Sequence, residues 1–369
     1  MNKIRVHSRE SAFKLLLSRA RTSTGEVDWE YLFQLARRHS IVPLIYDQLD
    51  VVRPEVLAKF KQHYIENSAR NTVLTAELCR LINLFRDAGI EAIPYKGPVL
   101  ALFAYGDIAL RRFVDLDVIV KKADVLKARE ILLRSGYTPS KSLSLSQQEL
   151  LLRTQHNMQF SRDNHRLIIE LHWEVAPHLF ASTVNGERLW QDLITLDLNG
   201  TEVKTFSAED LLFSLCVHGS RHLWERLAWI CDVAELITRR PLNWPTLLER
   251  AATTDTERMF LLGIHLAERL LDAPVPAEVK QRCDSDPRLS SLADNIIEHL
   301  FNGPTHVPAT SREIFKYNIG VRKTLGARAR YLLYMFRPTD SDLGSRSLPA
   351  SLSFAYYLTR PFRLFRTKI

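Results

Sequence analysis

Two acids spaced two apart, Asp115 and Asp117, open the run Asp-Leu-Asp-Val-Ile-Val, and a third, Glu170, lies in Leu-Ile-Ile-Glu-Leu-His-Trp ending at Trp173. In an extended strand successive side chains alternate faces. Asp115 and Asp117 therefore share a face with Ile119, and Glu170 shares one with Ile168 and His172. If the two strands are neighbours, three carboxylates converge. Such a cluster repels itself unless a cation is shared. A hard ion such as Mg²⁺ or Mn²⁺ takes oxygen ligands from a few carboxylates and completes its shell with phosphate oxygens. In that setting metal ions lower the pKa of a nucleophile and steady a leaving pyrophosphate. An Asp-x-Asp pair is frequent by chance, so its surroundings decide its meaning.

The surroundings supply cations for phosphate. Lys96-Gly97-Pro98 lies between a predicted strand and a predicted helix. Glycine permits close backbone approach, proline suits a first helical position, and a helix start presents unpaired N–H groups to an anion. Arg111 and Arg112 come just before the acidic strand. One can reach a triphosphate while the other pairs with an acid or faces water, and the spacing does not say which.

The elements that must position these residues follow from periodicity. Residues 8–88 read as helical, with Asp28 as an N-cap and a stripe of Leu74, Leu78, Leu81, Ile82 and Phe85. Gly89 ends that pattern. A strand is expected over about 90–95, a helix over 97–105, a strand over 113–120, a helix capped by Asp124 and ending at Gly136, then strands over 156–161 and 167–173. After a polar strand-like passage around 196–205, Ser207 caps a helical region continuing to about 300. The fold class expected is α+β: a small mixed sheet flanked by helical units. The divisions are a helical unit over 1–89, an α/β core over 90–205, a helical domain closing the cleft over 206–300, and a basic, aromatic-rich helical tail over 301–369.

The motifs together resemble a known family. Tyr95-Lys-Gly-Pro-Val-Leu, Tyr105-Gly-Asp-Ile-Ala-Leu-Arg-Arg-Phe-Val-Asp-Leu-Asp117-Val-Ile-Val and Ile169-Glu-Leu-His-Trp173 are similar to the uncharacterised bacterial nucleotidyltransferase family of the polymerase-β-like superfold. His218-Gly-Ser-Arg-His222-Leu-Trp224 and Leu227-Ala-Trp229-Ile-Cys-Asp232 extend the likeness. The resemblance implies that Asp115, Asp117 and Glu170 are catalytic metal ligands. Lys96 and Gly97 would stand where better-known members carry Gly-Ser, so the serine hydroxyl that usually touches the triphosphate is absent here. It further implies transfer of a nucleoside monophosphate from an NTP to an unidentified acceptor, with surface-polysaccharide metabolism one setting. A catalytically degenerate nucleotide-binding or membrane scaffold, and a toxin-like enzyme modifying RNA or protein, are the alternatives.

His218 and His222 share a helix face. With Cys216 and Cys231 they are explained by packing without zinc. The functional expectation is that His222, Trp224 and Asp232 line the nucleotide cleft, and that His172 orients Glu170 or stacks on a base. Composition sets the outer bounds. Four scattered cysteines among 369 residues suggest neither a disulfide framework nor a zinc ribbon. No apolar run is long enough to span a bilayer and the first residues do not read as a secretory signal, so a cytoplasmic protein is expected. From Ser311 onward cations outnumber acids twelve to three, which more than accounts for the net charge of +8. That tail, with its interleaved aromatics, suits an anionic membrane surface at the inner face ahead of nucleic acid.

Overall fold

The computed structural model describes residues 7–49, 53–181, 186–303, 305, 307–339, 342–343 and 355–357. The chain opens with α1 (His7–Arg19), α2 (Trp29–Arg38) and α3 (Val42–Ile45). Asp28 caps α2 as its position predicts, accepting the Tyr31 N–H at 2.9 Å. The long α4 (Pro54–Asp87) runs its predicted stripe beneath the sheet and stops where Gly89 adopts φ +70°, a conformation costly for a residue with a Cβ.

The strands of the sheet follow. β1 (Ala92–Pro94) leads to α5 (Gly97–Leu100), which loosens into a π-helical turn over Ala101–Tyr105. Next come β2 (Leu116–Val120), α6 (Val125–Arg134), β3 (Thr138–Pro139), α7 (Leu145–Thr154), β4 (Asn157–Arg162) and β5 (Leu167–His172). The sheet order is β1-β2-β5-β4-β3, with β2 and β5 parallel and the other pairs antiparallel. Three expectations need correction. β2 begins at Leu116, so residues 113–115 are an irregular approach to it. Asp124 ends a 3₁₀ turn and makes no side-chain cap bond to α6. α7 was not anticipated, because its leucines are consecutive rather than spaced on one face; the Ser144–Gln147 capping box was its legible signal.

The polar passage before residue 206 is a hairpin of β6 (Leu193–Leu198) and β7 (Thr201–Phe206), preceded by the short α8 (His178–Ala181). Ser207 then caps α9 (Ala208–Arg221) through the Asp210 N–H at 3.2 Å. α10 (Leu227–Arg239), α11 (Trp244–Thr253), α12 (Glu257–Leu271), α13 (Ala277–Asp284), α14 (Pro287–Leu300), α15 (Ser311–Gly320) and α16 (Leu325–Met335) complete the described elements. α12 packs against α9, α10, α11, α14 and also α1, so the first helices share one apolar core with those after residue 206.

A second core lies on one face of the sheet. Leu116, Val118, Val120, Ile169 and Leu171 meet α4 and α6 there. The opposite face carries Asp117, Ile119, Glu170 and His172, and Ile119 joins the core of the α9–α10 side. The acids thus lie between the sheet and the second helical layer.

Among the described residues no helix is long and apolar enough to cross a membrane. Part of the basic tail turns inward: Arg322 is 1% exposed and stacks on Phe180 and Tyr331. Arg346, Arg360, Arg363, Arg366 and Lys368 lie outside the described residues.

Candidate active site

Parallel pairing of β2 with β5 sets Asp117 opposite Glu170 and Ile119 opposite His172. Register partners in neighbouring strands point the same way, so the two carboxylates project side by side. His172 Nε2 donates to Oδ1 of Asp117 at 3.2 Å and lies 3.3 Å from Oε2 of Glu170. Asn157, on β4, donates to the same Glu170 oxygen at 2.8 Å. Asp115 stands two residues before Asp117 on the approach to β2.

The loop after β1 closes over this cluster. Lys96 Nζ donates to Asp117 Oδ1 at 3.0 Å. Gly97 has φ +55°, and a Cβ added there would come within 3.4 Å of the Asp115 carbonyl oxygen, so the loop backbone lies directly against the acidic segment. At that positive φ a residue with a Cβ would be strained.

The electrostatics are those of a carboxylate cluster with partial compensation. Burial, followed by the charges of Asp117 and Glu170, pushes the Asp115 carboxyl up to about 6. Burial also opposes ionisation of Asp117, but Lys96 and His172 overcome it and hold that group well below the usual carboxylate range. For Glu170 burial is again outweighed, here chiefly by the His172 hydrogen bond, and its pKa is lowered. His172 loses proton affinity to burial and regains more from Asp117 and Glu170, ending above its ordinary value.

The donor set fits a hard divalent cation. Asp117, Glu170 and His172 offer ligand atoms within 4.8 Å of one another, the one such grouping among the described residues. Asp115 adds a carboxyl whose pKa is raised first by burial and then by the neighbouring charges of Asp117 and Glu170.

Several expected site residues have other roles. Arg111 is committed to Asp232, with Nε and Nη2 at 2.8 and 2.9 Å from its two carboxylate oxygens, and Tyr105 donates to the same acid at 2.7 Å. Asp232 is 0% exposed. Arg111 and Asp232 are thus paired with one another, and the pair ties the loop before β2 to α10. Trp224 is also 0% exposed and packs against Gly219 and Gly263, so it belongs to the core and does not line a cleft. His172 is 2% exposed and occupied by the two carboxylates, which leaves it orienting Glu170 and not stacking on a base. Arg112, by contrast, has His63 as its polar neighbour at 3.4 Å.

His222 does face the site region, half-buried at the end of α9 with its ring 5.4 Å from Trp229 and 4.6 Å from His218. Burial, then Arg221 and Lys96, bring its pKa down to about 3, so it is a neutral imidazole there. Two residues were missed by sequence reasoning. His156 precedes β4 with its ring 5.7 Å from His172, and Arg221 lies 2.8 Å from its Nε2. Arginine can only donate, so that nitrogen accepts. Arg221 stood in the His218–His222 motif, but its pairing depends on a partner 65 residues away.

The sequence profile of a family described as "Uncharacterised nucleotidyltransferase" matches residues 25–272, from before α2 to just past α12. No curated protein matches the chain. Among solved structures, an antigenic nucleotidyltransferase-like protein from Paracoccidioides brasiliensis is similar at 17% identity and a TM-score of 0.33, over 61% of this chain and 92% of that one.

Proposed function

Given that the chain belongs to the uncharacterised nucleotidyltransferase family, we propose that it moves a nucleoside monophosphate from a nucleoside triphosphate to an acceptor hydroxyl with the help of Mg²⁺ or Mn²⁺. One observation carries the reading: Asp117 and Glu170 are register partners on the face of the sheet turned toward the second helical layer, with Lys96 bonded to one of them.

Asp115, Asp117 and Glu170 would hold the divalent cation, which when bound supplies charge neutralisation for the triphosphate and the departing pyrophosphate. Lys96 carries the mobile positive charge of the loop and turns from Asp117 toward phosphate oxygens as the nucleotide enters. His172 and Asn157 keep Glu170 ionised and aimed. Glu170, with 28% of its side chain exposed against 6% for Asp117, is the more open of that pair and takes the proton of the attacking hydroxyl. The acceptor oxygen bonds to the α-phosphorus as the bond to the β-phosphate oxygen breaks, and pyrophosphate leaves.

The test is transfer from each α-³²P-labelled nucleoside triphosphate in the presence of Mg²⁺ or Mn²⁺, with cell extract as acceptor. Label should move with the native protein and not with Asp117→Asn or Glu170→Gln. Metal-dependent nucleotide binding without transfer would favour a nucleotide-binding scaffold, and absence of metal-dependent binding would end the reading.

A further inference from the structure

Four arginines from distant parts of the chain gather around the loop that leads into β2. Arg70, exposed on α4, donates Nη2–H to the carbonyl of Val114, the residue before Asp115, at 3.4 Å. Arg112 lies in the same loop beside His63 of α4. His63 meets Phe33 edge-on at 6.3 Å, and Arg37, exposed near the end of α2, stands 5.8 Å over that phenyl ring. The end of α2 also abuts the start of α10, where the Leu227 N–H donates to His39 at 3.2 Å. Arg226, exposed at the N-cap of α10, lies there with its guanidinium 5.9 Å over the Trp229 ring.

Neutralisation of the group is incomplete: Glu30 lies near Arg37 but is paired with Lys59 at 2.5 Å. Among the described residues the arginine–carboxylate ion pairs involve Arg9, Arg80, Arg111, Arg129, Arg162, Arg239, Arg250, Arg258, Arg269, Arg282 and Arg330, and none involves Arg37, Arg70, Arg112 or Arg226. Glu66, on the same stretch of α4, keeps its charge near His63 while accepting from Gln62 at 3.0 Å, and so offsets part of the group. The crowding registers at Arg112, where burial first and then Arg70, Arg226 and Arg37 weaken its hold on its proton. Like charges held together with fewer acids than cations raise the energy of the unliganded protein, and a polyanion relieves it.

The chemistry narrows the polyanion. All four are arginine, whose planar fork matches phosphate oxygens better than a lysine ammonium does. One triphosphate is served by Lys96 and its neighbours, whereas Arg37 and Arg70 are spread over α2 and α4, so the surface fits a chain of phosphates. Where it meets the site, Trp229 is half-buried with His218 and His222 at 5.4 Å, a ring surface on which a base can stack.

We propose that Arg37, Arg70, Arg112 and Arg226 bind the phosphate backbone of a single-stranded nucleic acid whose terminal hydroxyl is the acceptor, with Trp229 stacking on a base near that end. This rests on the nucleotidyltransferase reading of the carboxylates. The terminal hydroxyl oxygen gains the bond to the α-phosphorus, its proton goes to Glu170, pyrophosphate departs, and the strand is lengthened by one nucleotide.

The experiment uses the full chain and a fluorescein-labelled single-stranded RNA oligonucleotide of mixed sequence, followed by anisotropy across a range of salt concentrations. Binding of a fluorescent nucleoside triphosphate analogue with Mg²⁺ is measured on the same preparations. The comparison is with Arg37→Gln/Arg70→Gln/Arg226→Gln, three exposed positions whose replacement spares the core. Each single-strand phosphate contact contributes about 0.7 to the slope of log affinity against log salt, so the triple variant should bind RNA with a slope shallower by about 2. Its affinity at physiological salt should fall at least about tenfold, with analogue binding retained. RNA binding of unchanged slope in the variant would overturn the proposal, as would equal displacement of RNA by an acidic polysaccharide. A native protein that binds the analogue but not RNA would overturn it while leaving the nucleotide reading intact. Loss of both would remove the two together.

Discussion

Asp117 and Glu170 face the same way as partners across the parallel β2–β5 pair, and one imidazole nitrogen, Nε2 of His172, lies 3.2 Å from the first and 3.3 Å from the second. Adjacent strands are about 4.8 Å apart, which brings both carboxylates within reach of one shared cation. His172 and Lys96 supply the countercharge that lets the two acids stay ionised together. Asp115 lacks a comparable partner, and this asymmetry sets up the first prediction.

In the metal-free protein Asp115 carries a pKa raised from 3.8 to about 6. A raised carboxyl favours the folded state fully below its unfolded pKa, and that contribution is lost as pH rises through the folded value. Protein kept in chelator should therefore lose stability between about pH 4 and pH 6 through this group. Asp115→Asn should flatten that segment and melt about 2–4 °C above native near pH 7.5, while losing transfer activity. Thermal melts of both proteins with and without Mg²⁺ check it: added metal should raise the native midpoint more than the variant's. Equal pH profiles would refute the raised pKa of Asp115.

Lys96→Met retains the aliphatic stem and removes the charge. A charge-assisted bond to phosphate contributes roughly 1.5–3 kcal/mol, so the KM for the triphosphate should rise at least about tenfold, with a smaller change in kcat. Initial rates over a range of nucleotide concentrations measure this. A KM within twofold of native would remove Lys96 from the nucleotide site.

Arg111→Ala leaves Asp232 buried with Tyr105 as its remaining polar partner. Breaking a buried pair in this way should lower stability by about 3–5 kcal/mol, read from denaturant unfolding. Arg111→Lys keeps a charge but not the two-pronged bond, and should lower the unfolding midpoint with KM near native. A raised KM at an unchanged midpoint would instead make Arg111 a nucleotide ligand.

Gly219→Ala tests the burial of Trp224. A Cβ at Gly219 would lie 2.4 Å from the indole, and one at Gly263 would lie 2.6 Å from Cys216 and 2.9 Å from the indole. Each alanine should cost about 1–3 kcal/mol by overpacking, visible as a lower melting temperature. Trp224→Phe should recover part of the Gly219→Ala loss by vacating space. Two alanine variants as stable as native would mean that the indole is not wedged between these helices.

Local rules made much of the architecture readable in advance. Alternation put Asp117 and Glu170 on defined strand faces, the stripe from Leu74 to Phe85 marked the helix under the sheet, and Asp28 and Ser207 marked helix starts. Each of these depends on residues within a few positions of one another. α7 escaped because its apolar residues lack one-sided spacing, and Asp124 misled because an acid before a helix need not turn its carboxylate toward the helix N–H groups.

What the sequence determined by itself is therefore the faces of Asp117 and Glu170 and the kind of chemistry that carboxylates beside a lysine allow. Which groups stay free to do that chemistry was decided by tertiary structure. Arg111 and Arg112 are neighbours in sequence, yet Asp232, 121 residues away, engages the first and leaves the second beside His63. Trp224 and Trp229 look alike in the sequence, but two glycines on adjoining helices enclose one and the other borders the histidines. Arg37, Arg70, Arg112 and Arg226 are unremarked singly, since charge density is a property of positions in space, and only the meeting of α2, α4 and α10 gives them a common surface.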